Sequence, residues 1–240
     1  ADARRLPFAD GSFDVVTSHD TLEHVPEEGR SAFMREMVRV SHGFVLLNGP
    51  VDAGDGGNAG LEKRVLAFGQ RALDWENPYL KEHIEHGIPT ASAIEGYFRE
   101  QSVAFQALPN GSSRLWLLMM ALRHYLLAFP RPESLLAIID RVFNSTISPR
   151  DFDEPCYRTA YVAAAAPQDA TALHGLPAAV LAEAVKLHPR PVEDAELLDS
   201  LLRALEEHAI QVRGDFDHLR DWLSRKDATL ANLNFAVARL

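Results

Sequence analysis

The sequence predicts an α/β fold: a parallel sheet covered by helices, followed by a helical carboxyl-terminal extension. Three observations carry that expectation. Phe13-Asp14-Val15-Val16-Thr17-Ser18 follows the turn signal Asp10-Gly11-Ser12, and Phe44-Val45-Leu46-Leu47 is closed by Asn48-Gly49-Pro50, so two short apolar strands flank one helical stretch. Continuous apolar strands joined through a helix mark a parallel sheet buried on both faces, with a right-handed crossover. Two further strand-like runs, 103–108 and 158–166, are separated by two helical stretches, and from Val192 onward the chain reads as helix only.

Each element has a local cause. Pro26 stands before EEGRSAFMREMVRV, where Phe33, Met34, Met37, Val38 and Val40 recur at helical spacing between charges; this helix ends near Ser41 and Gly43 stops it. Residues 52–60 (DAGDGGNAG) are glycine-rich and aperiodic, so a loop is expected there. They lack GxxxxGK[ST], and no strand leads into a GxGxxG, so they are not read as a phosphate cradle. Helices follow over about 61–74 and 91–101, with a proline-bearing segment holding Trp75 and Tyr79 between them. The runs 103–108 and 158–166 are expected to pair antiparallel at a sheet edge, and the helices between them, about 113–128 and 133–144, to cover a substrate pocket.

The domain reading is a domain over residues 1–167 with 111–150 as its helical cover, an Ala/Pro-rich linker over 168–192, and a helical or coiled-coil extension over 193–240. In the extension Leu197, Leu198, Leu201, Leu202 and Leu205 share one stripe, and Phe216, Leu219, Leu223, Leu230 and Leu233 recur at roughly heptad spacing. Self-association, or attachment to a further module, is the expected use of that tail.

Composition narrows the function. The 240 residues carry a formal net charge of -10, which argues against a nucleic-acid backbone binder, since that binding needs clustered Lys and Arg. Cys156 is the single cysteine, so no intrachain disulfide and no four-cysteine zinc site can form, and a cytoplasmic location is expected. The most apolar stretch, Leu115–Phe129, is interrupted by Arg123 and His124 and is too short for a bilayer span.

The residues Asp2-Ala3, Leu6-Pro7-Phe8, Asp10, Ser12-Phe13-Asp14, Val16 and Leu22-Glu23-His24-Val25-Pro26 together resemble the class I S-adenosylmethionine-dependent methyltransferases of the small-molecule type. The resemblance continues through FMREMVRV and FVLLNGP, loosens to about residue 166 and stops there. It implies a Rossmann-like sheet and S-adenosylmethionine as cofactor. It further implies adenine contacts from Asp2 and Ala3, an apolar lid from Leu6 onward, and cofactor contacts from Ser18 and His19 at a strand end. For each a plainer role stands beside it: a turn-capping Asp2, core packing at Leu6, and an ordinary half-buried histidine at His19, where the family often has a larger apolar residue. The family's first strand with its glycine-rich turn, and its second strand with its terminal acid, have no counterpart ahead of Asp2, so a sheet truncated at its amino end is expected.

His24 is a conceivable acceptor-side base, although the Glu-His pair mainly shapes a loop in this family. No metal is expected: His19 and His24 are five residues apart, and His83 and His86, although three apart, show no further ligand. Acceptor-side candidates are Trp75, Tyr79, His83, His86, Arg114, Trp116 and His124. The segment LPNGSSRLWLLMMALRHYL resembles bacterial methyltransferase domains joined to glycosyltransferase modules by helical linkers, which implies a small-molecule or glycan acceptor, with a cell-envelope saccharide among the candidates. The alternative is a non-catalytic chain whose helical tail mediates assembly.

Overall fold

The computed structural model describes residues 2–128, 133–144, 151–152, 155–180, 207–208 and 210–226. By backbone contacts the chain forms two compact units, one of Ala1–Ala128 with Ile147–His188 and one of Phe129–Thr146 with Pro189–Leu240. The unit boundary thus passes between the two helices that the sequence assigned to a single cover.

The first unit holds a four-stranded sheet of strands β1 (Phe13–His19), β2 (Ser41–Pro50), β3 (Ala104–Ser112) and β4 (Cys156–Ala164), in the order β1-β2-β4-β3. β1 and β2 are parallel and joined through helix α1 (Glu27–Val40), as the flanking apolar runs require. β4 runs antiparallel to both β2 and β3. Placing β3 at the sheet's edge explains how it continues through Pro109, which has no amide proton to give a ladder and is tolerated where only one side is paired.

Among the described residues this unit also holds the helices α2 (Gly57–Ala72), α3 (Pro78–His86), α4 (Ala91–Glu100) and α5 (Ser113–Leu127). Phe33, Met34 and Met37 of α1, Ile94 and Phe98 of α4, and Val45, Leu47, Tyr161 and Ala163 of the central strands form the core. α2 starts inside the expected loop because Asp52 organises its first turn. The carboxylate of Asp52 accepts from the amides of Gly54 (2.8 Å), Gly56 (2.9 Å) and Ala59 (3.3 Å). Burial acts to raise its pKa, yet these amides hold it below the ordinary value. α3 forms in the proline-bearing segment, where Asn77 caps the amides of Tyr79 and Leu80 and Pro78 occupies the first helical position, where its missing N–H costs nothing.

In the second unit, helix α6 (Glu133–Val142) buries Leu135, Leu136, Ile139 and Val142 along one stripe. Residues 210–226 are helical and leave Ile210, Phe216, Leu219, Trp222 and Leu223 exposed. The leucine stripe at 197–205 and the tail positions Leu230 and Leu233 lie outside the described residues. Among the described residues no helix is long and apolar enough to cross a membrane.

Candidate functional site

The amino-terminal loop is clamped onto α1. The Leu6 amide donates to Glu36 Oε2 at 2.7 Å, and the Arg39 guanidinium donates to Glu36, the Phe8 carbonyl (2.9 Å), the Leu6 carbonyl (3.2 Å) and Asp10 (2.6 Å). The Arg39 guanidinium, with the Leu6 amide second, holds the Glu36 carboxyl at about 2. A group whose pKa is depressed by folding stabilises above its unfolded value and loses that contribution as pH falls through the folded one. Thermal melts of Glu36→Gln beside the unaltered protein should therefore differ most above about pH 4.5 and converge toward pH 2. A constant difference across that range would mean that the ionised carboxylate is not what holds the loop.

On this loop, Ala3 packs against the core and Leu6 is half-buried, lining an open groove of about 610 Å³ with Arg5, Pro7 and Phe8. Asp2 is exposed, and its carboxylate accepts from the Arg4 amide (2.9 Å) and guanidinium (2.9 to 3.2 Å). The side-chain bond from Arg4 leads in holding Asp2 at about 2. That carboxylate is thus ionised and shared with Arg4.

Beyond the loop, β1 delivers Ser18 and His19 to its carboxyl end. Ser18 is buried with no partner for its hydroxyl, whereas His19 is exposed opposite Asn48 of β2. Asp20 then adopts a left-handed conformation (φ 46°), its amide donating to the Asn48 carbonyl at 2.9 Å and its carboxylate pairing with Arg158 at 2.7 Å. This reversal starts a single 3₁₀ turn, Leu22–His24, which buries Leu22 and Glu23 and leaves His24 half-buried. An orphaned hydroxyl at the carboxyl end of a parallel strand suits a polar ligand there, as ligands in open α/β sheets bind beyond those strand ends. The residues present therefore fit a cofactor on this side of the sheet.

The 3₁₀ turn meets α2, α3 and β4 in a buried polar cluster. His24 Nδ1 donates to Glu82 at 2.9 Å, His83 Nδ1 donates to Glu62 at 2.8 Å, and the two Nε2 atoms face each other at 3.3 Å. The Tyr157 hydroxyl also donates to Glu62, which is fully buried. Burial, then the Glu62 carboxylate, pushes the Tyr157 phenol far above its ordinary value. Burial likewise raises the Glu23 carboxyl, and Glu23 Oε2 and Glu62 Oε2 have no hydrogen-bond partner.

The acceptor-side candidates scatter around this cluster. Tyr79 is exposed, its ring edge-on to His24 at 6.0 Å. Trp116 stacks on Tyr157 at 3.9 Å, and Arg114, two residues earlier in the first turn of α5, is exposed. His86 lines a cavity of about 300 Å³ with Leu22, Arg30, Met34, Ile88 and Ile94. His124 is instead buried, with Nδ1 donating to the Met120 carbonyl at 2.6 Å and Nε2 accepting from Asn77 at 3.1 Å, while Trp75 lies against its ring at 4.8 Å. Burial lowers its pKa, so the neutral ring braces the residue that caps α3. Sequence reasoning missed Glu62, Tyr157 and Asp52. The available signal for Glu62 was its place on the same helical face as Val65 and Gly69 of α2, a stripe otherwise suited to the core.

A mixed α/β sheet with a parallel crossover, two antiparallel strands and a polar site beyond the strand ends defines a Rossmann-like domain. Residues 1–46 match the family model described as a methyltransferase domain. Among solved structures, the YcgJ protein of Bacillus subtilis is 19% identical, with 68% of each chain covered and a TM-score of 0.36. The phosphoethanolamine N-methyltransferase 2 of Haemonchus contortus, solved with phosphomonomethylethanolamine and S-adenosylhomocysteine, is 14% identical over 68% of this chain and 36% of that one, with a TM-score of 0.39. A sarcosine dimethylglycine methyltransferase assignment from Galdieria sulphuraria is 14% identical over 68% of this chain and 56% of that one, with a TM-score of 0.38. This chain thus spans about a third of the nematode protein, just over half of the algal one and two thirds of the bacterial one.

Proposed function

We infer that this chain serves an S-adenosylmethionine-dependent methyltransferase acting on a small-molecule or glycan acceptor. The supporting observation is that the matched residues 1–46 fall on one tied unit, in which the 2–10 loop, β1, the 3₁₀ turn and α1 lead into β2 and the Arg39 clamp joins loop to helix. When bound, the cofactor supplies a methyl group on a sulfonium leaving group, so alignment matters more than covalent catalysis. Asp2 and Ala3 are assigned to the adenine, Leu6 to its face, and Ser18 and His19 to the remainder of the cofactor. His24 is assigned to the acceptor side. A glycan acceptor is favoured by Arg114 and Trp116, which sit in the first turn of α5 where β3 ends.

Titration of S-adenosylhomocysteine into the chain is the test, with binding in the micromolar range expected and a loss of about tenfold or more in Asp2→Ala, since charge-assisted hydrogen bonds contribute roughly 1.5–3 kcal/mol. A folded, monodisperse sample that does not bind would overturn the assignment of the site to this chain. A second reading, association through the tail, is favoured by the exposure of Phe216, Leu219, Trp222 and Leu223. The same titration separates them, because association alone predicts a protein that self-assembles and leaves S-adenosylhomocysteine unbound.

A further inference from the structure

We propose that His24, His83 and Glu23 form a binding site for one divalent transition-metal ion, of the kind that zinc represents. The sequence offers pairs within one segment, 19 with 24 and 83 with 86, and neither converges; the fold instead brings His24 from the 3₁₀ turn against His83 from α3. One ligand atom from each of His24, His83 and Glu23 lies within 4.8 Å of the others.

The hydrogen bonds decide what those atoms are. Each imidazole has a carboxylate on Nδ1, Glu82 for His24 and Glu62 for His83, so in the neutral tautomers Nδ1 carries the proton and Nε2 carries the lone pair. The two Nε2 atoms then lie 3.3 Å apart on tilted rings whose centroids are 4.6 Å apart, beside a Glu23 carboxyl that is buried to 1% exposure and has an oxygen without a partner. Three acceptors gathered in a partly buried space repel unless a cation or a shared proton lies among them. Two nitrogens, each 2.0–2.1 Å from a tetrahedral ion, lie roughly 3.3 Å apart, which is the spacing found here.

The surrounding shell has the same logic. Metal-bound histidines usually give their other nitrogen to a carboxylate, which fixes the tautomer and raises ligand basicity. Glu62 and Glu82 do this for the two rings, and Glu62 is itself fixed by the Tyr157 hydroxyl. Two nitrogens and one carboxylate suit zinc and its neighbours in the first transition row rather than calcium or magnesium, which take oxygen. Three protein ligands leave one position of a tetrahedral ion for an external oxygen. On the methyltransferase reading, that oxygen would come from the acceptor; metal binding itself does not depend on that reading.

The test uses the full chain, stripped with chelator and titrated with Zn²⁺ by calorimetry and with Co²⁺ by visible absorption. One ion per chain is expected, with the intense d–d bands of low-coordinate cobalt. His24→Ala and His83→Ala should each abolish those bands, His174→Ala should leave them intact, and Glu82→Gln should weaken affinity about 10- to 100-fold while the bands persist. Because His24 is half-buried, its variant tests the site even if His83→Ala does not fold. A folded protein that takes up neither ion, or whose cobalt spectrum survives loss of His24, would overturn the proposal and leave a proton shared between two rings as the account of the 3.3 Å contact. Failure of S-adenosylhomocysteine binding with metal binding intact would count against the cofactor site alone.

Discussion

Replacing Glu62 by leucine is expected to destabilise the first unit by about 3–5 kcal/mol, the cost of removing one partner from a buried polar pair. For a domain of this size that corresponds to a fall in melting temperature on the order of 10 °C. Glu62 has no exposed surface, and its Oε1 accepts from both His83 Nδ1 and the Tyr157 hydroxyl. Leucine fits the stripe of α2 that holds Val65, so helix propensity and volume do not oppose the change. What it leaves behind are two buried donors on α3 and β4 with no acceptor, each costing about 1–3 kcal/mol. Adding Tyr157→Phe removes one of them, so the double variant should regain part of the loss, and the coupling between the two changes measures their shared bond. If Glu62→Leu melts within about 1 kcal/mol of the unaltered protein, the cluster is not a support for the fold.

The same cluster shows where reading the sequence reaches its end. β1, α1 and β2 were legible because apolar runs and helical periodicity are local, and the parallel pairing followed from the crossover between them. The antiparallel pairing of 103–108 with 158–166 was legible for a different reason: once two strand-like runs remain, pairing them satisfies their backbones. The start of α2 was not, because glycine propensity predicts a loop at 52–60, and the capping is done by Asp52, the first residue of that stretch. The His24 and His83 contact spans 59 residues and depends on the angle at which α3 leaves Asn77, which His124 braces from α5. Spacing rules see ligands within one helix or loop, so a pair assembled from two elements carries no periodic signal. Likewise His124 reads as a polar interruption in LWLLMMALRHYL, and only its two hydrogen bonds reveal a brace.

Gly43→Ala is the second substitution expected to act strongly, by about 3 kcal/mol, at the upper end of what overpacking costs. Sequence periodicity makes Gly43 a helix stop; in the structure it lies within β2, at an irregularity where Phe13 pairs with Ser41 but Val15 pairs with Phe44. A Cβ there would stand 2.4 Å from the carbonyl oxygen of Asp14 on the neighbouring strand. That neighbour is backbone, so no rotamer change relieves the clash, and β1 would have to move away from β2. Gly60→Ala provides the contrast, since an added Cβ there meets nothing within 4 Å, and in α2 it should stabilise by about 0.5–1 kcal/mol. The displacement would reach the site as well, because the same pairing continues to Ser18 opposite Leu47 and His19 opposite Asn48, and it aims the 3₁₀ turn that carries Glu23 and His24. Gly43→Ala should therefore weaken S-adenosylhomocysteine and metal binding together, whereas Asp2→Ala weakens only the first and His24→Ala removes the second. Unchanged melting in Gly43→Ala would mean that β1 and β2 do not approach this closely, and the register that places both sites would have to be redrawn.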